Sequence, residues 1–177
     1  MSSVPGVAPA AFESIFRSEL PYVLATLRRL GARSADIEDL AHDVFVVVHR
    51  RLGDYDTTRP LRPWLVGIAV RIAADDRRLA RRRWEREDDG AVERATASGH
   101  SPEQQALAAE RRAMALVGLD ALDLEKRAVL VLHDIDGEPV TEIAHALGIP
   151  VNTAYSRLRL ARERFREAIR RAQGEAS

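Results

Sequence analysis

The chain has 177 residues, enough for one domain or two small ones with a buried core in either case. Hydrophobic residues make up 46% of it and aromatics only 5%, and the dominance of Ala, Leu and Arg favours helix over sheet. The absence of Cys excludes a disulfide framework, a thiolate metal site and a Cys nucleophile, while a formal net charge of zero argues against nucleic acid until its distribution is considered.

The opening "MSSVPGVAPAAF" has neither a basic flank nor a long apolar run, and no stretch approaches the ~20 apolar residues of a membrane span. A soluble, cytoplasmic protein with no direct membrane insertion is therefore expected. Phe12, Ile15, Phe16, Leu20, Val23, Leu24 and Leu27 recur at three- and four-residue steps and predict a helix over 10–30, with Pro21 as a kink. Ser34 suits the N-cap of a second helix, with Asp36 and Glu38 in its first turn. Its apolar stripe is Ile37, Leu40, Ala41, Val44, Phe45 and Val48. "GDYDTTRP" reads as a loop, and Pro60 or Pro63 fits the first turn of a third helix. That helix runs through Trp64, Leu65, Ile68, Ala69, Ile72 and Ala73 into a run of arginines.

"EDDGAVERATASGHSP" has no apolar period and reads as a linker. Helical pattern resumes at Ser101-Pro102-Glu103 and continues as helices over about 102–119, 123–135, 139–147 and 151–171. Strand signals are absent. The expected fold is all-α, with two small helical domains, 10–86 and 102–172, joined by a flexible linker over 87–101.

Charge alternates along this scheme. Acids lead from Asp36 to Asp56, bases from Arg77 to Arg86, acids again from Asp120 to Glu142, and bases from Val151 to Arg171. One such patch is an ordinary solvated helix face; its repetition in both halves suggests two basic surfaces hidden in a neutral sum.

Val140 to Leu160 carries the strongest local motif. Ile143, Ala144 and Leu147 give a short helix one buried face, and Ala144 is small where two helices must cross closely. Gly148 stands where the turn needs positive φ, Ile149 plugs the core, and Pro150 prevents the first helix from continuing. A second helix then begins, as in a helix-turn-helix. On its wheel Ala154, Leu158, Ala161 and Phe165 form the core side, and Asn152, Ser156, Arg159 and Glu163 point away. Thr153, Tyr155, Arg157 and Arg162 lie on the flanks. Outward Asn, Ser and Arg suit base edges in a major groove, and flanking Arg and Tyr suit phosphates. A helical hairpin with a solvated basic face is the plainer alternative.

"DIEDLAHDVFVVVHRR", "RPWLVGIAVRIAADDRRLARRR" and "EIAHALGIPVNTAYSRLRLARERFREAI", in this order, resemble a bacterial RNA polymerase sigma factor of the extracytoplasmic-function (ECF) group. The resemblance covers about residues 10–172 and implies the domains called region 2 and region 4. It implies that Asp36, Glu38, Asp39, Leu40, Asp43 and Phe45 bind the clamp helices of the polymerase β′ subunit. It also implies that Arg71, Asp75, Arg77, Arg78, Arg81 and Arg82 engage the −10 promoter element, with Gly53 to Leu61 forming a pocket for a flipped base. By the same resemblance Asn152, Thr153, Tyr155, Ser156, Arg157, Arg159 and Arg162 read the −35 element. The second domain would also touch the β flap, and an anti-sigma factor would hold the protein inactive. The chain departs from the family pattern at His42, Arg71 and Tyr155, where Gln, Asn and Lys are usual.

No catalytic residue, metal or cofactor is expected. His42-Asp43 and His133-Asp134 are the kernel of a metal-dependent phosphohydrolase site, but the further converging ligands that such a site needs are missing from the pattern. A stand-alone helix-turn-helix regulator would need an α/β receiver or ligand domain ahead of Ser101, where no strand periodicity exists, and would leave the acidic helix unexplained.

Overall fold

The computed structural model describes residues 9–84 and 102–175. Helix α1 spans Pro9–Arg29, α2 Ile37–Arg51 and α3 Leu61–Trp84, with a 3-10 turn at Leu52–Asp54. Then follow α4 Pro102–Asp120, α5 Leu124–Leu130, a π-helical segment Val131–Ile135, α6 Val140–Leu147 and α7 Val151–Glu175. There is no strand among the described residues, and the expected linker lies outside them.

The periodicities named above become contacts. Val23, Leu27 and Leu30 of the first helix and its end meet Leu40, Val44, Phe45 and Val48 of α2 and Leu65, Ile68, Ala69 and Ala73 of α3 in one buried cluster. Pro21 lies inside α1. The expected cap at Ser34 is displaced: Asp36 occupies the N-cap position and makes no side-chain capping bond. Its carboxylate instead lies 3.6 Å from the Arg33 guanidinium.

In the second half, Asp123 caps α5 by accepting a 2.9 Å bond from the Lys126 amide. Burial pushes its carboxyl up, and the Lys126 hydrogen bonds overcome this and hold it below the usual range. Leu119, Leu122, Val129, Leu132, Val140, Ile143, Ala144, Ala154, Leu158 and Ala161 form a second cluster. Gly148 has φ 67°, as the turn requires, and its amide bonds the His145 carbonyl at 3.1 Å. Pro150 and Ile149 then set α7 across α6.

The two halves are packed together. Val66 of α3 is a member of the second cluster, and Leu124 and Ala128 of α5 are members of the first. At Gly67 of α3 a Cβ would collide with the backbone carbonyl of Ala146 in α6. Arg127 of α5 is 4% exposed and lies against Gly31, at the end of α1. The sequence reading left Val66 and Val70 off the α3 stripe and so did not foresee this interface.

Candidate functional site

Three faces carry the expected residues. On α2, Glu38, Asp39, His42 and Asp43 are exposed and form one acidic surface. Leu40 and Phe45 are not part of it. They are 6% and 3% exposed, and the Phe45 ring packs edge-on against Phe12 and Phe16 with centroids 6.5 and 4.8 Å away. An amphipathic helix puts its apolar stripe on the core and leaves the carboxylates outward, with Asp36 half-buried at the edge beside Arg33.

The second face is built by α3 and the loop before it. Trp64 is half-buried with its ring 5.0 Å from that of Tyr55. The Tyr55 hydroxyl donates to the Arg59 carbonyl at 2.5 Å, and burial pushes this phenol up. Asp56 accepts from the Thr58 hydroxyl and amide at 2.6 and 3.0 Å, which lowers its carboxyl and closes a tight turn. The loop is thus shaped by its own side chains. Arg71 is exposed, and its guanidinium lies 3.9 Å from where a Cβ on Gly148 would stand. Asp75 pairs with Arg78 one turn on. Arg77 donates to the Leu30 carbonyl at 2.5 Å, at the negative end of α1. Arg81 and Arg82 lie on α3, with side chains outside the described residues.

The third face is α7. Asn152, Tyr155, Ser156 and Arg159 are exposed, Tyr155 by 55%, while Ala154, Leu158 and Ala161 beneath them are buried. Thr153 is half-buried. The two flanking arginines are held elsewhere. Arg157 lies 2.5 Å from the Glu125 carboxylate. Arg162 donates through two nitrogens to Asp134 at 2.9 and 2.5 Å, with the His133 ring 3.1 Å away. The Arg162 bonds hold the Asp134 carboxyl below its ordinary value. Glu125, His133 and Asp134 thus hold the two flanking arginines, contacts that the sequence reading did not give them. In the sequence they show as the acidic run that precedes the helix-turn-helix and as the His133-Asp134 pair.

Among the described residues, no group of three or more His, Asp or Glu could hold a metal ion, and no helix is long and apolar enough to cross a membrane. Neither His-Asp pair gathers further ligands: His42 lies 3.9 Å from Asp43, and His133–Asp134 is completed by an arginine.

Residues 15–85 match the family described as Sigma-70 region 2, and residues 112–165 match Sigma-70, region 4. The RNA polymerase sigma factor NccH of Alcaligenes xylosoxydans xylosoxydans is 28% identical over 148 residues, 82% of this chain and 80% of that protein. The ECF RNA polymerase sigma factor SigE of Mycolicibacterium smegmatis is 29% identical over 171 residues, 96% of this chain and 66% of that one. Among solved structures, the sigma factor RpoE of Bartonella quintana, in complex with the anti-sigma factor NepR, superposes with a TM-score of 0.68 at 20% identity. That match covers 90% of this chain and 97% of the other. Both helical units, in their order along the chain, have these counterparts, and the chain belongs to the sigma factors of the extracytoplasmic-function group.

Proposed function

We propose that the chain binds core RNA polymerase through Glu38, Asp39 and Asp43 on α2 and directs initiation at promoters read by α7 and opened along α3. Residues 10–86 and 102–172 act as the two functional domains, with 87–101 as the connection. The observation that carries this reading is the face of α7. Asn152, Tyr155, Ser156 and Arg159 stand outward on a helix whose opposite side is locked into the core, as a major-groove reader requires. The carboxylates of α2 complement a basic helical partner such as the clamp helices. Arg71 and Arg78, exposed and about two turns apart on α3, suit the phosphates of a single strand. The β flap and an anti-sigma factor are further partners on this reading, and the cytoplasm is where it acts.

Run-off transcription by purified core polymerase, with and without the chain, tests the proposal. Product that depends on the chain is the expected result. Absence of product, together with absence of co-elution with core polymerase, would leave a helix-turn-helix DNA binder and require another partner for the acidic helix.

A further inference from the structure

The outward side of α7 is not uniformly polar. Val151 is 39% exposed and Tyr155 55%, and the two lie one turn apart. From Arg159 to Arg171, by contrast, every exposed side chain of the helix is charged. Single exposed apolar residues are ordinary on a protein surface. Here two of them adjoin, and apolar exposure on α7 is confined to its first turns. The core makes no use of them, since Ala154, Leu158 and Ala161 supply the buried side. Val151, Tyr155 and Arg159 recur at four-residue steps and form one row along the helix, with Asn152 and Ser156 in the row beside it. At a rise of about 1.5 Å per residue, each step of the row advances about 6 Å, close to two base-pair steps of about 3.4 Å.

We propose that Val151 and Tyr155 read the C5-methyl groups of thymines in the major groove, as specificity-determining residues of α7. The inference rests on the functional reading above and adds the base content of the site to it. The thymine methyl is the apolar group that base pairs present in that groove. Sequence pattern suggested a phosphate for Tyr155, but a phosphate engages only the hydroxyl tip, and Val151 has no polar side-chain atom to offer one. Asn152, beside Val151, carries the amide that matches adenine, and Arg159 carries the fork that matches guanine. The face therefore fits A·T pairs under the first turns of α7 and a G·C pair about two base-pair steps beyond Tyr155.

Deoxyuridine in place of thymidine removes that methyl and nothing else. Duplexes enriched from a random library by the full chain, alone and on core polymerase, supply the probes, and fluorescence anisotropy gives their affinities. Replacing thymines one at a time should weaken binding by the wild-type chain about fourfold at the positions these side chains cover, the effect of one methyl leaving an apolar contact. Val151→Ala and Tyr155→Ser should each bind thymine and uracil duplexes alike at the position that residue covers. Tyr155→Phe keeps the ring and should keep the discrimination. Both side chains are exposed, so the fold tolerates these changes. Uracil tolerated at every position, with Tyr155→Phe weakened alike on all sequences, would return the tyrosine to a phosphate and overturn the proposal. So would discrimination that survives in both Val151→Ala and Tyr155→Ser. If those two variants lost retention on core polymerase and kept the discrimination, the patch would belong to a protein partner instead. Enrichment of no sequence at all would overturn the groove reading and this inference with it, whereas a selective chain indifferent to the methyl would sink the inference alone.

Discussion

At the scale of single residues, the arginines of α7 divide by partner. Arg157 and Arg162 are tied to Glu125 and Asp134, whereas Arg159 is exposed and has only a long 3.8 Å approach from Glu163. Arg159→Ala should therefore weaken binding to the cognate −35 duplex by about 1–3 kcal/mol with the melting temperature unchanged. Arg162→Ala should do the opposite, lowering stability by ~0.5–1 kcal/mol because the pair is partly exposed and screened. Titration and calorimetry on the two variants separate these roles; exchanged effects would show that the faces are assigned wrongly. The Asp134 tie also carries a pH signature. Its carboxyl is depressed in the folded chain by the Arg162 hydrogen bonds, so its stabilisation is complete above the unfolded value of about 3.9. It is lost as pH falls through the lower, folded value. The stability gap between wild type and Asp134→Asn should accordingly be full at neutral pH and close in acid, and a gap that widened on acidification would contradict the assignment. Sequence pattern assigned Arg162 to phosphates because nothing local pairs it with a residue 28 positions earlier.

At the scale of elements, legibility follows how local the cause is. The turn of the helix-turn-helix was readable because its requirement sits in three adjacent residues, Gly148, Ile149 and Pro150, and Gly148 has the positive φ they call for. Gly148→Ala should cost about 1–2 kcal/mol of stability, seen as a lower melting temperature. The cost there is backbone strain, since the nearest atom to an added Cβ is 3.9 Å away. The π-helical segment was not readable. Val129 to Leu132 is buried on every side, and a uniformly apolar run carries no period to tell one helical winding from another. On α2 the family motif mixes two faces that the helix separates. Asp39→Asn with Asp43→Asn should weaken association with core polymerase and leave stability and free-DNA binding unchanged. Phe45→Ala should instead destabilise the fold by about 3–5 kcal/mol. A pull-down with core polymerase and a thermal melt distinguish them, and loss of polymerase binding by a stably folded Phe45→Ala protein would return that ring to the interface.

At the scale of the molecule, the question is whether the halves are independent units or one cooperative body. A flexible connection alone predicts independence, because each half would open at its own free energy. The shared core predicts coupling. Val66 is 1% exposed and sits on α3, yet the side chains around it belong to the second cluster, while Leu124 and Ala128 of α5 complete the first. The signal was present in "WLVGIAV", where Leu65, Val66, Ile68, Ala69 and Val70 make α3 apolar around more than one face. A helix of that kind must bury two sides, and only one had been given a partner. Val66→Ala removes apolar volume from the second core through a residue of the first half. It should cost about 1–3 kcal/mol, and the loss should be felt across the interface. Amide hydrogen exchange reads this directly: protection should fall in α5, α6 and α7 as well as in α3. If protection fell in α3 alone, the halves would be opening separately and the shared core would contribute nothing to the stability of the second. If it fell in both by the same factor, the chain opens as a single unit.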